Sequence, residues 1–257
     1  MALLDINQVS KNFGGVQALF QVSLETEAGQ LTSIIGPNGA GKTTLLNLIC
    51  GLFPVSGGEV LLGGQPITGR TSHRIASMGV SRTFQVARLM SDRTLLDNLL
   101  LGFHSRTGSG FLSNLFSLPN SRREERWMRK RAMELLRFFD LEEYQTYLAS
   151  SLPYGRQRLL EIARALAAEP KLLLLDEPAA GLNDEETADL GRILKVILSD
   201  HSNLSIVLVE HDMKLVLEVS QKIVVINQGR KLTEGTPEVV LNDPEVIEAY
   251  LGREDDA

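Results

Sequence analysis

Three short stretches of this chain carry residue types suited to phosphate chemistry. Gly36-Pro37-Asn38-Gly39-Ala40-Gly41-Lys42-Thr43-Thr44 reads as glycine, four residues and then Gly-Lys-Thr, the spacing of a phosphate-binding loop. Glycines allow the backbone to wrap a phosphate chain with its N–H groups inward, and a following helix N-terminus adds partial positive charge. Lys42 would reach the β- and γ-phosphates, and the Thr43 hydroxyl would ligate Mg²⁺. The bland alternative is a glycine-rich turn with an incidental lysine. It does not account for the strand-like run Leu31 to Ile35 just before the stretch, or for the helix-spaced apolar residues from Thr44 to Cys50 just after it. The spacing predicts a nucleoside triphosphate site.

The second stretch, Lys171-Leu172-Leu173-Leu174-Leu175-Asp176-Glu177-Pro178, is an apolar strand ending in two carboxylates. A buried strand delivering Asp176 beside the phosphate loop is what Mg²⁺ coordination requires, directly or through water. Pro178 forces a turn, so Glu177 can also face the nucleotide and act as general base on the attacking water. In the third stretch, His211 follows the apolar run Ser205-Ile206-Val207-Leu208-Val209-Glu210. An imidazole at such a strand end can donate to the γ-phosphate and orient the water. A lone histidine is more often a surface or core residue. The company of the other two stretches favours the functional reading.

These groups need a scaffold that brings several strand ends together. Residues 3–30 alternate as antiparallel strands around Phe13-Gly14-Gly15, and a second β-rich patch surrounds Gly57 to Gly64. From about 95 to 165 the pattern is helical. Strands return at Lys171 to Asp176, Leu204 to Glu210 and Ile223 to Ile226, separated by helical patterns over Asp184 to Leu198 and Met213 to Val219. Apolar strands alternating with helices predict an α/β fold with a parallel core.

At 257 residues with 43% hydrophobic and 23% charged side chains, the chain has the composition of ordinary globular material. Its net charge of -6 weighs against broad nucleic-acid binding. The single cysteine, Cys50, leaves no intrachain disulfide and fits a reducing compartment; on the helix after the phosphate loop it reads as a small buried apolar residue rather than a redox sensor. The amino terminus shows no export signal, and no apolar run reaches the roughly 18 to 20 residues needed to span a bilayer. The charge cluster Ser121 to Arg131 reads as an exposed amphipathic helix, with an arm touching anionic lipid or another subunit as the sharper alternative. Phe111 to Phe116 reads as packing or contact surface.

With Leu152-Pro153-Tyr154-Gly155-Arg156-Gln157-Arg158 lying about twenty residues before the acidic pair, the whole chain resembles the ABC-type ATPase family, with its motifs in the family's order. The resemblance implies a P-loop NTPase fold with a RecA-like parallel-sheet core, an antiparallel β subdomain and a helical subdomain, here about residues 86–160, inserted in a single domain over 1–257. It implies ATP and Mg²⁺ as ligands and a second ATPase subunit, identical or related, as partner. Phe13 looks like the aromatic that stacks on adenine. Gln85, in Ser81-Arg82-Thr83-Phe84-Gln85, looks like the glutamine linking the γ-phosphate and Mg²⁺ to a transmembrane partner. Pro153, Tyr154, Gly155 and Arg156 fall in the signature segment that completes the opposite subunit's ATP site. Ala180-Gly181-Leu182-Asn183 looks like the loop crossing the dimer interface.

Pro153 stands where the family usually has serine, Arg156 where glutamine is common, and Asn183 where aspartate is usual. Pro153 removes a hydroxyl and a backbone N–H; Gly155 still permits close backbone approach. Within the family the chain is most similar to the ATP-binding subunits of branched-chain amino acid importers, a subgroup in which proline at the 153 position is a known variant. The matching stretches run from Ser81 to Gln85, Leu152 to Gly155, Asp176 to Asn183, Glu210 to Val216 and from Glu234 to Gly252. The resemblance implies a subunit at the cytoplasmic face of the membrane, held there by permease subunits and served indirectly by a substrate-binding protein, with no nucleic acid. Urea or amide import and lipopolysaccharide export are the alternative cargo readings. A soluble ABC ATPase and a non-hydrolysing regulatory subunit are the alternative classes.

Overall fold

The structure, a computed structural model, describes residues 2–83, 89–103 and 119–251. β1 (Ala2–Phe13) and β2 (Val16–Glu27) form the expected hairpin, with Phe13 opposite Val16 across Gly14-Gly15. β3 (Leu31–Ile35) then runs through the phosphate loop into α1 (Lys42–Ile49). β4 (Gly57–Leu62) and β5 (Gln65–Pro66) return to the hairpin, giving an antiparallel sheet of order β2-β1-β4-β5.

α2 (Ser72–Ser77) and the short β6 (Val80–Arg82) lead into a helical region: α3 (Leu95–Gly102), α4 (Pro119–Phe138) and α5 (Tyr154–Ala167). The core resumes with β7 (Leu172–Asp176), α6 (Asp184–Asp200), β8 (Ser205–Val209), α7 (Met213–Val219) and β9 (Lys222–Asn227). β10 (Arg230–Gly235), α8 (Pro237–Leu241) and α9 (Pro244–Leu251) follow. The second sheet has the order β10-β9-β3-β8-β7-β6, parallel throughout except for the antiparallel edge strand β10.

β7 and β8 read as near-continuous apolar runs because both faces of the sheet are covered. Successive side chains point to opposite faces. Leu173, Leu175, Ile206 and Leu208 join the core shared with α3, α4, α5 and α6. Leu172, Leu174, Val207 and Val209 join the core shared with α1 and the antiparallel sheet. All eight are wholly buried, each contributing roughly 1.5–3 kcal/mol of burial free energy.

Helix ends follow local chemistry. Thr94 and Asp97 form a reciprocal capping box on α3, and Asn183 with Glu186 does the same on α6. The charge cluster lies on α4, whose Trp127 is 42% exposed and meets Phe103 edge-on at 5.6 Å, while Leu135 packs into the core. The helix after the phosphate loop starts at Lys42, two residues before the apolar periodicity begins. β6 and β10 are additions to the strands expected from the sequence. Phe111 to Phe116 lies outside the described residues.

Candidate active site

Parallel pairing puts the carboxyl ends of β6, β7, β8 and β3 along one edge of the sheet, where ligands bind in open α/β folds. The phosphate loop leaves β3 there. Gly36 adopts φ 149° and lies so close to β9 that a Cβ would overlap the Ile226 carbonyl oxygen, so only glycine fits. The turn after β9 props the loop: Gly229 N–H donates to the Ala40 oxygen at 3.0 Å. Asn38 and Gly39, at the loop's tip, face solvent, whereas Ala40 is buried; Pro37, Gly41, Thr43 and Thr44 are half-buried.

Lys42 opens α1 with its ammonium folded back into the loop, where it donates to the oxygens of Gly36 at 2.7 Å and Pro37 at 3.0 Å. Burial pulls its pKa below the ordinary lysine value, opposed by the nearby carboxylates of Glu177 and Asp176. Thr43 Oγ1 lies 3.4 Å from Asp176 Oδ1, so the loop hydroxyl and the acid at the end of β7 share one spot. Two hard oxygens in that position suit Mg²⁺, which takes one or two protein oxygens and completes its shell with phosphate and water.

Asp176 is 1% exposed, and its second oxygen pairs with Arg82, the last residue of β6, at 2.7 Å. Arg82 reaches α1 as well, donating to Asn47 Oδ1 at 2.6 Å. Glu177 follows in the left-handed region at φ 48°, unusual for a residue with a side chain. Its N–H donates to the Val209 oxygen at 2.9 Å, which ties the start of the turn to β8. His211 leaves β8 with its side chain 62% exposed.

The preceding residue, Glu210, is fully buried and accepts N–H bonds from Ala179 at 2.7 Å, His211 at 2.9 Å and Asp212 at 3.4 Å. Burial pushes the Glu210 carboxyl above its ordinary range, and these donors together with His211 oppose the shift. Sequence reasoning singled out neither Arg82 nor Glu210. The signal for Glu210 was present, since an acid directly follows the apolar run of β8 much as one closes β7. Nothing in the sequence points to Arg82 as the partner of Asp176. Gln85 lies outside the described residues.

Phe13, at the tip of the hairpin, is 41% exposed. It meets Phe53 edge-on at 5.4 Å, and Lys11 Nζ lies 4.7 Å from its ring centre. Pro153 occupies the N-cap position of α5 without a side-chain cap bond, and Pro153 and Tyr154 are turned to solvent. A Cβ on Gly155 would overlap the Glu186 carboxylate that caps α6, so the signature segment packs directly on the end of the Ala180 to Asn183 loop. Asn183 makes the helix cap an aspartate would make, its Oδ1 accepting from Glu186 N–H at 2.9 Å. The Arg156 guanidinium sits 4.3 Å from the centre of the Tyr144 ring, within its own lobe. Among the described residues no helix is long and apolar enough to cross a membrane.

A phosphate loop facing an acidic strand end in a sheet of this order defines a nucleotide-hydrolysing cassette. The ABC transporter family model matches residues 19–180, and the chain belongs to that family. A second model, the branched-chain amino acid ATP-binding cassette transporter, matches residues 230–256. The chain is 46% identical to the high-affinity branched-chain amino acid transport ATP-binding protein BraF of Pseudomonas aeruginosa, covering 97% of this chain and 98% of BraF. Its structure superposes on the ADP conformation of an ATP-binding cassette of an ABC transporter with a TM-score of 0.84 and 31% identity, covering 98% of this chain and 100% of the other. It also matches a dimeric cassette bound to ADP and Pi, with a TM-score of 0.76 and 25% identity over 91% of this chain and 98% of the other.

Proposed function

We propose that this chain is the ATP-hydrolysing subunit of a branched-chain amino acid importer, acting as one of two such subunits at the cytoplasmic face beneath permease subunits. The observation that carries the reading is the convergence of Lys42, Thr43 and Asp176 at the ends of β3 and β7, in a chain that matches the branched-chain cassette model through residues 230–256.

The residues divide the work. The phosphate loop and Lys42 hold the β- and γ-phosphates, and Phe13 stacks on adenine. Thr43 and Asp176, together with Gln85, would hold Mg²⁺, which when bound neutralises phosphate charge. Glu177 accepts a proton as water attacks the γ-phosphorus and the bond to the bridging oxygen breaks, releasing ADP and phosphate. His211 donates to the γ-phosphate. The Pro153 to Arg156 segment, exposed at Pro153 and Tyr154, completes the partner's site.

For the permease, we assign the cleft of about 500 Å³ between α1 and α2 on one side and α3 and α5 on the other. Its lip carries Leu52, Met90 and Leu101, apolar side chains that are 45%, 47% and 37% exposed, as a surface covered by a partner would. Reconstituting the chain with its co-purifying permease subunits and following leucine uptake tests the reading, with Lys42→Ala as the inactive control. ATP-dependent uptake of leucine is expected. ATP hydrolysis driving urea, an amide or a lipopolysaccharide instead would replace the cargo, and stoichiometric co-purification with no membrane partner would remove the importer.

A further inference from the structure

The turn bearing Glu177 and the segment bearing His211 come from different strands, and one buried side chain joins them. Glu210 Oε1 takes the Ala179 N–H at 2.7 Å, two residues beyond Glu177. Glu210 Oε2 takes the N–H groups of His211 at 2.9 Å and Asp212 at 3.4 Å. The same oxygen stands 3.7 Å from His211 Nδ1. The neighbouring main chain adds a parallel tie, Glu177 N–H to the Val209 oxygen at 2.9 Å.

We propose that Glu210 is a positioning residue for hydrolysis: its carboxylate fixes the separation between the turn of Glu177 and the loop of His211, so that base and γ-phosphate donor meet the same nucleotide in register. The proposal rests on the roles given above to Glu177 and His211. A carboxylate suits the task because both of its oxygens accept and neither donates. A buried carboxylate also needs such donors, since burial alone disfavours its charge, and the left-handed backbone at Glu177 needs neighbours that hold it. Main-chain donors on both sides supply the first need, and the link to Ala179 supplies the second. The Glu210 carboxylate bonds to main-chain N–H groups of Ala179, His211 and Asp212, whereas Lys42 and Thr43 bond to Gly36, Pro37 and Asp176, so binding and turnover are expected to separate.

Glu210→Gln is the test variant. Its amide turns an NH2 group toward either Ala179 or the His211–Asp212 pair, which breaks one arm of the clamp. ATP affinity is expected to stay within about twofold of wild type, while kcat falls by about tenfold or more. A stability control is Ser220→Ala, which removes the buried hydroxyl contact Ser220 Oγ to Ser33 Oγ at 2.6 Å and is expected to lower the melting temperature without the kcat loss. In a His211→Ala background, Glu210→Gln is expected to cost much less than it does alone, because the two act through one arrangement. If Glu210→Gln does not fold, Glu210→Asp is read by the same criteria: it keeps the charge but is too short to reach Ala179 and His211 together. Turnover within twofold of wild type, a kcat loss matched by Ser220→Ala, or full additivity with His211→Ala would each overturn the proposal. Normal turnover in Glu177→Gln and His211→Ala themselves would instead remove the roles on which it stands.

Discussion

Arg82 and Asp176 form a buried ion pair, Nη2 to Oδ2 at 2.7 Å, with side chains only 6% and 1% exposed. The guanidinium also reaches Asn47 on α1, so one arginine spans β6, β7 and the phosphate-loop helix. It takes one oxygen of Asp176 and leaves the other directed at Thr43. Removing one member of such a pair strands the other charge in the interior.

Arg82→Ala is therefore expected to destabilise the apo protein by about 3–5 kcal/mol. Arg82→Lys keeps the charge without the fork and is expected to fall between the two. Urea unfolding with and without Mg²⁺ and ATP reads both effects, and the Arg82→Ala deficit should shrink when the divalent cation compensates Asp176. A loss below about 1 kcal/mol would show that the pair is neutral to stability.

The strand ends that carry the proposed site were legible as strand ends in the sequence because each is a local pattern. The buried runs over residues 172–175 and 206–209 are apolar, so the acid that follows each marks the edge where the proposed site lies. Asp176 announces itself in this way, His211 follows one residue after the acid Glu210 that closes the β8 run, and the phosphate loop announces itself by its glycine spacing. Arg82 does not, because its partner is 94 residues away and only the pairing of β6 with β7 brings them together. β6 and β10 escaped for a related reason: three residues of β6 and the half-exposed, charged β10 are too short or too polar to show a buried period. Asn183 looked like a departure in an interface loop. In the structure its side chain has a local task as well, capping α6, which an amide performs as an acid would.

Glu177→Gln is expected to bind ATP normally and to lose most turnover, since an amide fills the same space but cannot accept a proton from water. Glutamine matches glutamate in size, so the left-handed backbone at this position, φ 48°, is expected to accept the exchange. The ATP-bound dimer should accumulate, and sizing chromatography in the presence of ATP measures it. Near-normal turnover would sink the assignment of the base.

The Phe13 ring is edge-on to Phe53 and close to Lys11, an arrangement that leaves it 41% exposed at the hairpin tip. Phe13→Ala is expected to weaken ATP binding by roughly 1–3 kcal/mol, the range for stacking of a base on an aromatic ring. A lowered melting temperature with unchanged ATP affinity would mark Phe13 as a packing residue only.

Cys50 closes α1 and is half-buried rather than fully enclosed. Burial raises its thiol pKa, and the nearby Arg82 only partly offsets this. A raised pKa means less thiolate at any given pH. Alkylation of the native protein by iodoacetamide should therefore follow a rate–pH curve displaced to higher pH than that of the urea-unfolded chain. Native labelling at neutral pH as fast as in the unfolded chain would point to a reactive cysteine.

The coupling of ATP to transport is expected to run through Gln85. Thr83, two residues before it, is anchored by its N–H to the Leu174 oxygen at 3.0 Å on the strand that carries Asp176. On the other side of Gln85 the chain reaches Met90, whose N–H bonds to Asn98 of α3 at 2.9 Å and whose side chain lines the proposed permease cleft. Gln85 lies in sequence between those two anchors, and a rigid shift of the helical region that follows is the expected two-state element linking ATP to the permease. Gln85→Ala should keep ATP binding, lose most transport, and show impaired stimulation of hydrolysis by the permease. In reconstituted vesicles, a Gln85→Ala complex that moves cargo at the wild-type rate per ATP would remove this route, and coupling would have to pass through contacts of α5 or α6 instead.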